Sequence, residues 1–307
     1  MYWKGASYWY VRNNKWTKLG KTYPQALRRY ADVDQPRSQW GDLVSYVYDR
    51  MDVSPNTAAQ YDIIRPRLVK AFQHLQPHEI TTRHVAALME SYADTPNMAN
   101  RMLSVLRLIC KKGARLGAMD YDPTQGVDRF KEKKRDRYIT DRELYNILDM
   151  LSPKHRVVAE MAYLTGQRIG DVLSIRKDQI TPEGIQFVQQ KTGARLLVQM
   201  TPSLQRAVES SKALSKADKA HLYPITGKDT PMSYTAMRDA WRRAVKKAGV
   251  EHCTLHDIRA KALTDAKKQG HDPQALAGHR LESTTVRYLR GRETPVVSGP
   301  ILEPLKR

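Results

Sequence analysis

Thr254-Leu255-His256-Asp257-Ile258-Arg259, then Ala277-Gly278-His279, then Thr284-Thr285-Val286-Arg287-Tyr288, is the stretch around which the rest of this sequence is organised. His256 and Arg259 are three apart, so a helix projects both from one face near its start. Thr254 is suited to cap that helix, and amides left open at a helix N-terminus favour an anion. Two donors beside such a terminus, followed by a second His and a Tyr, are equipped to hold and attack a phosphodiester. The pair alone carries little weight, because His-x-x-Arg arises by chance about once in roughly 400 positions.

Upstream residues add the weight. Thr165-Gly166-Gln167-Arg168-Ile169-Gly170-Asp171 supplies another Arg at the start of an apolar helical stretch, with Asp171 one turn further on. Gln190-Lys191-Thr192-Gly193 puts a Lys at the tip of an expected hairpin, between Ile185–Gln190 and Arg195–Met200. The order Arg168, Lys191, His256 with Arg259, Gly278-His279, Tyr288 is a constellation, and chance rarely assembles one. On these residues the chain resembles the tyrosine recombinases and, within them, the phage lambda type of integrase. Arg290-Gly291-Arg292-Glu293, just after the Tyr, fits the same resemblance. Asp171 stands where the family usually has Glu, and the lambda type also carries Asp there.

The resemblance implies a chemistry. Tyr288 is the nucleophile toward a backbone phosphate, and an ordinary phenol is only ~0.1% ionised at neutral pH, so its proton must be taken. Arg168 and Arg259 hold the non-bridging oxygens, a task for which a planar, always-charged fork is better suited than an ammonium. His256 and His279 face the same oxygens, His256 as the proton acceptor. Lys191 is the candidate general acid for the departing 5′ oxygen, and Asp171 orients Arg168. The product is a 3′-phosphotyrosine beside a free 5′-hydroxyl, formed with no cofactor, metal or ATP. Each residue alone also fits a plainer role. Tyr288 on a helix fits a core position, Lys191 a solvated hairpin tip, Arg168 with Asp171 a helix ion pair, and His279 after Gly278 a helix C-cap.

Charge agrees with a polyanionic partner: 52 basic against 32 acidic residues give a formal net charge of +20 over 307 residues. No apolar run approaches the ~20 residues that span a bilayer, and the N-terminus has no signal-peptide core. Cys110 and Cys253 are too few for a disulfide framework and read as core thiols. His252, Cys253 and His256 lie close together, yet no second ligand pair completes a metal site. The expectation is a reduced, cytoplasmic, nucleoid-associated protein.

Three domains are expected. In residues 1–36, Tyr8–Arg12 reads as a strand, Asn13-Asn14-Lys15 as its turn and Trp16–Leu19 as the returning strand, with a helix from Pro24 through Tyr30. Basic residues outnumber acidic ones there by seven to two, and the resemblance implies a small three-stranded sheet plus helix that binds arm-type DNA. Residues 37–130 read as a helical bundle with starts at Ser38, Ser54-Pro55, Thr82 and Thr95-Pro96; its resemblance is to a core-binding domain. Lys131–Arg137 is a basic linker open to the DNA backbone. Residues 131–307, with 33 basic and 20 acidic residues, form a mostly helical catalytic domain that opens on the capping box Thr140-Asp141-Arg142-Glu143. The resemblance implies that its tail, 289–307, is exchanged between protomers.

The fold class is therefore mainly α with small β elements. Candidate DNA contacts are Arg12, Lys15 and Lys18 in the first module, and Arg195, Arg238, Arg242 and Lys246 in the last. Arg238, Arg242 and Lys246 recur every four residues as a basic stripe beside Trp241 and Val245. The resemblance points to an integrase acting on double-stranded DNA as a homo-tetramer on synapsed sites, with a host DNA-bending protein and an excision factor as accessory partners. The alternatives are a type IB topoisomerase, which shares the residue set, and a non-catalytic DNA-binding regulator.

Overall fold

The computed structural model describes residues 1–12, 15–33, 39–133, 136–215, 219–223 and 229–289. The chain separates into two compact units, 1–134 and 135–307.

The first unit begins with an antiparallel sheet of β1 (Tyr2–Lys4), β2 (Ser7–Arg12) and β3 (Lys15–Gly20), followed by α1 (Tyr23–Val33). Lys4 pairs with Ser7 across a two-residue turn in which Gly5 and Ala6 both have φ near +55°. That is the mirror-image turn whose twist suits a hairpin. Among the described residues, only Tyr10, Leu19 and Ala26 make up the buried core here, so aromatic pairs such as Tyr10 on Tyr30 supply much of the apolar contact.

A separate core belongs to four helices: α2 (Trp40–Tyr48), α3 (Pro55–Ala71), α4 (Thr82–Glu90) and α5 (Pro96–Arg115). Pro55 and Pro96 open their helices where a missing amide hydrogen costs nothing. Met102, Leu103, Leu106 and Ile109 are all buried, which is the apolar face read from their spacing. The first of these helices begins at Trp40, and Ser38, its expected start, lies outside the described residues.

The second unit runs α6 (Asp141–Asp149), α7 (Pro153–Thr165), α8 (Ile169–Leu173), the sheet β4 (Ile180–Thr181), β5 (Gly184–Val188) and β6 (Arg195–Gln199), then α9 (Pro202–Leu214), α10 (Tyr234–Lys247), α11 (Leu255–Lys268), α12 (Pro273–Ala277) and α13 (Glu282–Val286). The capping box forms at α6, where Glu143 accepts from the Thr140 amide and its own amide donates back to the Thr140 hydroxyl. α11 is the axle of this unit. It is buried from Asp257 to Ala266 and packs on α7 and α12, its alanines letting neighbours close in. The sheet is antiparallel in the order β4-β5-β6, and a Cβ at Gly184 would stand 2.2 Å from the Val198 carbonyl oxygen. Cys110 and Cys253 sit buried in the cores of the first and second units. Among the described residues the fold is mainly helical with two small antiparallel sheets. Residues 290–307, including the Arg290–Glu293 run and almost all of the tail, lie outside the described residues, as do Asn13 and Asn14 of the expected turn.

Candidate active site

α11 carries His256 and Arg259 as its spacing predicts, one exposed and the other buried to 1% exposure. Asp257 closes the helix start, its carboxylate accepting from the Thr254 amide and hydroxyl, both at 2.8 Å. Arg259 is held from behind by neutral groups. Its Nη1 donates to the Gly166 carbonyl at 2.7 Å, and its Nη2 donates to the Ala277 carbonyl at 2.8 Å and to His279 Nε2 at 3.2 Å. Gly166 and Gly278 end α7 and α12 with left-handed φ of 63° and 60°, which turns the adjacent carbonyls toward the guanidinium. Among the described residues, Arg259 Nε has no hydrogen-bond partner. Burial, reinforced by Arg168, pulls this guanidinium down to about 10, with the Tyr288 hydroxyl and Asp171 acting the other way. It remains fully charged near neutrality.

Arg168 caps the start of α8 and is oriented by a residue that the sequence reading passed over. Its Nη1 donates to Gln189 Oε1 at 2.7 Å, whereas the Asp171 carboxylate stands 4.0 Å away. Asp171, expected to orient Arg168, keeps an ion pair with it at that distance, while its other oxygen accepts from the Gln190 amide at 2.9 Å and so pins the hairpin. The hairpin is shaped locally: β5 stops at Val188 rather than at Gln190, and the Gln189 amide and carbonyl pair with Ala194 and Gly193 to close the loop. Lys191 is exposed on that loop and borders the site.

Tyr288 follows α13 in a turn rather than within a helix, its amide donating to the Thr285 carbonyl at 2.8 Å. Its ring lies 5.0 Å from that of His256, 5.1 Å from that of His279, and 5.5 Å from the Arg259 guanidinium carbon. His279 is buried. Its Nε2 can only accept from Arg259, which leaves Nδ1–H to donate to the Thr285 hydroxyl at 3.0 Å. Burial, then Arg259 and Arg168, hold its imidazole down at about 4, so it is neutral at physiological pH. Arg168, Asp171, Lys191, His256, Arg259 and Tyr288 border one cavity of about 330 Å³, and His279 stands behind Arg259. Tyr234, at the start of α10, borders it too, though no spacing in the sequence linked it to the others.

The remaining candidates are scattered over surfaces. Lys18 is exposed near Trp9, while the side chains of Arg12 and Lys15 lie outside the described residues. Arg195 is exposed on β6. Arg238, Arg242 and Lys246 form an exposed row on α10, opposite buried Trp241 and Val245, and the first two share Asp239 at 3.0 and 3.9 Å. In the basic linker, Arg137 pairs with Glu143 at 2.6 Å and Glu251 at 3.1 Å.

Two arginines, a histidine, a lysine and a tyrosine around one cavity, with a second histidine behind Arg259, define on this fold a tyrosine recombinase. The phage integrase family model matches residues 137–294, and the chain belongs to that family. The integrase of Escherichia phage HK022 is 24% identical over 83% of this chain and 76% of its own length. Among solved structures, a lambda integrase dimer bound to a COC′ core site superposes with a TM-score of 0.77 at 19% identity, covering 94% of this chain and 97% of that one. A lambda integrase tetramer bound to a Holliday junction gives 0.76 at 19% identity, covering 95% of each chain.

Proposed function

We propose that this chain is a site-specific DNA integrase in which Tyr288 cuts and rejoins strands through a 3′-phosphotyrosine link. The observation that carries the reading is the meeting of Tyr288 with Arg168, Arg259, His256 and Lys191 around one cavity. The Tyr288 oxygen bonds to phosphorus as the phosphorus–O5′ bond breaks. The phenol proton passes to His256, and Lys191 protonates O5′. Arg168 and Arg259 take the charge growing on the non-bridging oxygens, each such donor being worth ~3–4 kcal/mol of transition-state stabilisation. Rejoining runs the same steps backward with another strand's 5′-hydroxyl. The phosphodiester's free energy stays in the link.

The substrate in this reading is double-stranded DNA. The lambda integrase dimer on a core site and the tetramer on a Holliday junction support a tetramer on synapsed core-type sites. Residues 1–36, rich in exposed Lys, Trp and Tyr, are assigned to arm-type sites; residues 37–130 to core-site binding; and 131–307 to catalysis, with 289–307 passing to a neighbouring protomer. A host DNA-bending protein and an excision factor complete the expected partners, and the bacterial cytoplasm is the expected location. Among the described residues no helix is long and apolar enough to cross a membrane.

The test is covalent capture. The protein is incubated with a random library of nicked duplexes, denatured, and the DNA bonded to it sequenced. The expected result is one enriched sequence joined through its 3′-phosphate, with none recovered by Tyr288→Phe. Capture that persists in Tyr288→Phe overturns the nucleophile. Relaxation of any supercoiled plasmid, without sequence preference, moves the function to a topoisomerase.

A further inference from the structure

Gln189 is 1% exposed, and every hydrogen-bonding position of its amide is filled. Oε1 accepts from Arg168 Nη1 at 2.7 Å and from the Thr192 hydroxyl at 2.8 Å. Nε2 donates to Gln167 Oε1 and to the Ala277 carbonyl, both at 2.8 Å. The orientation is forced. Ala277 O is an acceptor only, and Gln167 has its own Nε2 committed to the Thr165 and Leu276 carbonyls at 3.0 and 2.8 Å.

The Ala277 carbonyl also accepts from Arg259. One unbroken chain of hydrogen bonds therefore runs Arg168, Gln189, Ala277, Arg259, His279, Thr285, and ends three residues before Tyr288. It spans the start of α8, the Lys191 hairpin, the end of α12, α11 and α13. Gly278 is packed against the same amide: a Cβ there would lie 2.9 Å from Gln189 Nε2.

An amide has a particular merit at this point. A carboxylate bonded to Arg168 would draw its charge into an ion pair and weaken its hold on a phosphate oxygen. A neutral Oε1 fixes the direction of the guanidinium without adding a second carboxylate to Asp171, which stands 4.0 Å away.

We propose that Gln189 is the positioning residue of this centre, aligning Arg168 with Arg259 and tying the Lys191 hairpin to both through its uncharged amide. The inference rests on the strand-transfer reading of the site. It predicts a defect that depends on the charge of the scissile phosphate, which general loosening of the fold does not.

The experiment compares Gln189→Met and Gln189→Glu with the unaltered protein on the captured nicked duplex. Each is assayed once with an ordinary scissile phosphate and once with a methylphosphonate, which lacks one charged oxygen. On phosphate, Gln189→Met slows adduct formation about 10²-fold, as expected of a misplaced catalytic group, at unchanged duplex affinity. On methylphosphonate, where a guanidinium has less charge to meet, the deficit shrinks to within about threefold. Gln189→Glu keeps the size and both acceptor bonds but gives up both donor bonds, so its unchanged duplex affinity is the check that it is folded, and it shows the same dependence on phosphate charge.

Equal deficits on the two substrates reduce Gln189 to a structural residue and overturn the inference. So does full activity of either variant on phosphate. If the unaltered protein forms no adduct with any DNA, the strand-transfer reading falls first and takes this inference with it.

Discussion

Arg259 and Lys261 lie two residues apart on α11, each 1% exposed, and the protein treats their charges in opposite ways. Lys261 is neutralised where it stands. Its Nζ meets the Asp141 carboxylate, the Asp265 carboxylate at 2.9 Å and the Tyr138 hydroxyl at 3.1 Å, while the Tyr163 hydroxyl donates to Asp265 at 2.9 Å. Burial pulls the ammonium down, and the bonds with Asp141, Asp265 and Tyr138 overcome that and raise it. Arg259 has two backbone carbonyls and a neutral imidazole instead, and among the described residues no carboxylate pairs with it. The first cation is spent on joining α6, α7 and α11. The second is kept in low dielectric, where an incoming phosphate meets it at full strength.

That contrast breaks most visibly at Arg259. Arg259→Ala is expected to slow covalent capture at least ~10²–10³-fold, the usual cost of a lost charge-stabilising donor, with duplex affinity little changed. Arg259→Lys restores little, since an ammonium cannot span both carbonyls and a phosphate. A near-normal capture rate in either variant would erase the distinction drawn here.

Lys261 tests the other half. Lys261→Met leaves the Asp265 carboxylate buried without its cation, and denaturant unfolding is expected to show a loss of about 3–5 kcal/mol. Adding Asp265→Asn recovers most of it, while the capture rate per folded molecule stays near that of the parent. A large catalytic defect at unaltered stability would instead make Lys261 part of the active site.

Gly278→Ala sharpens the comparison at the carbonyl that supports Arg259. A left-handed φ of 60° and a Cβ 2.9 Å from Gln189 Nε2 both oppose the methyl group. Thermal unfolding should report a cost of about 1–3 kcal/mol, with slower capture.

The pH dependence of His279 probes the group behind Arg259. Its folded value near 4 lies below the ordinary 6.5, so the neutral imidazole favours folding. That stability is complete above about 6.5 and is lost as pH falls toward 4, since the unfolded chain takes up the proton first. Melting temperature should fall across that window, and His279→Asn should flatten the fall. Identical slopes in the two proteins would remove His279 from behind Arg259.

Much of the second unit was legible in advance because its signals are local. The Thr140 capping box, the Pro-opened helices and the His256 and Arg259 spacing each depend on residues within four positions. Gln189 was misread for the same reason. It continues the period-2 pattern of β5, and nothing nearby reveals that its partners are Gln167, 22 residues upstream, and Ala277, 88 residues downstream. Asp171 was legible as a partner of Arg168, three positions on and 4.0 Å away, but not as the acceptor for the Gln190 amide at 2.9 Å. No local signal marks Lys261 as buried, since its partner Asp141 is 120 positions away.

The order of chemical groups along the chain was settled by the sequence itself: which arginines, which histidines, which tyrosine, and a basic excess calling for a polyanion. Helix starts and the hairpin followed from it, because caps, prolines and apolar periods act over a few residues. Only tertiary structure decided which buried charge is matched and which is left open. Burial, and the identity of the group across the gap, are set by segments that meet only after the chain has folded.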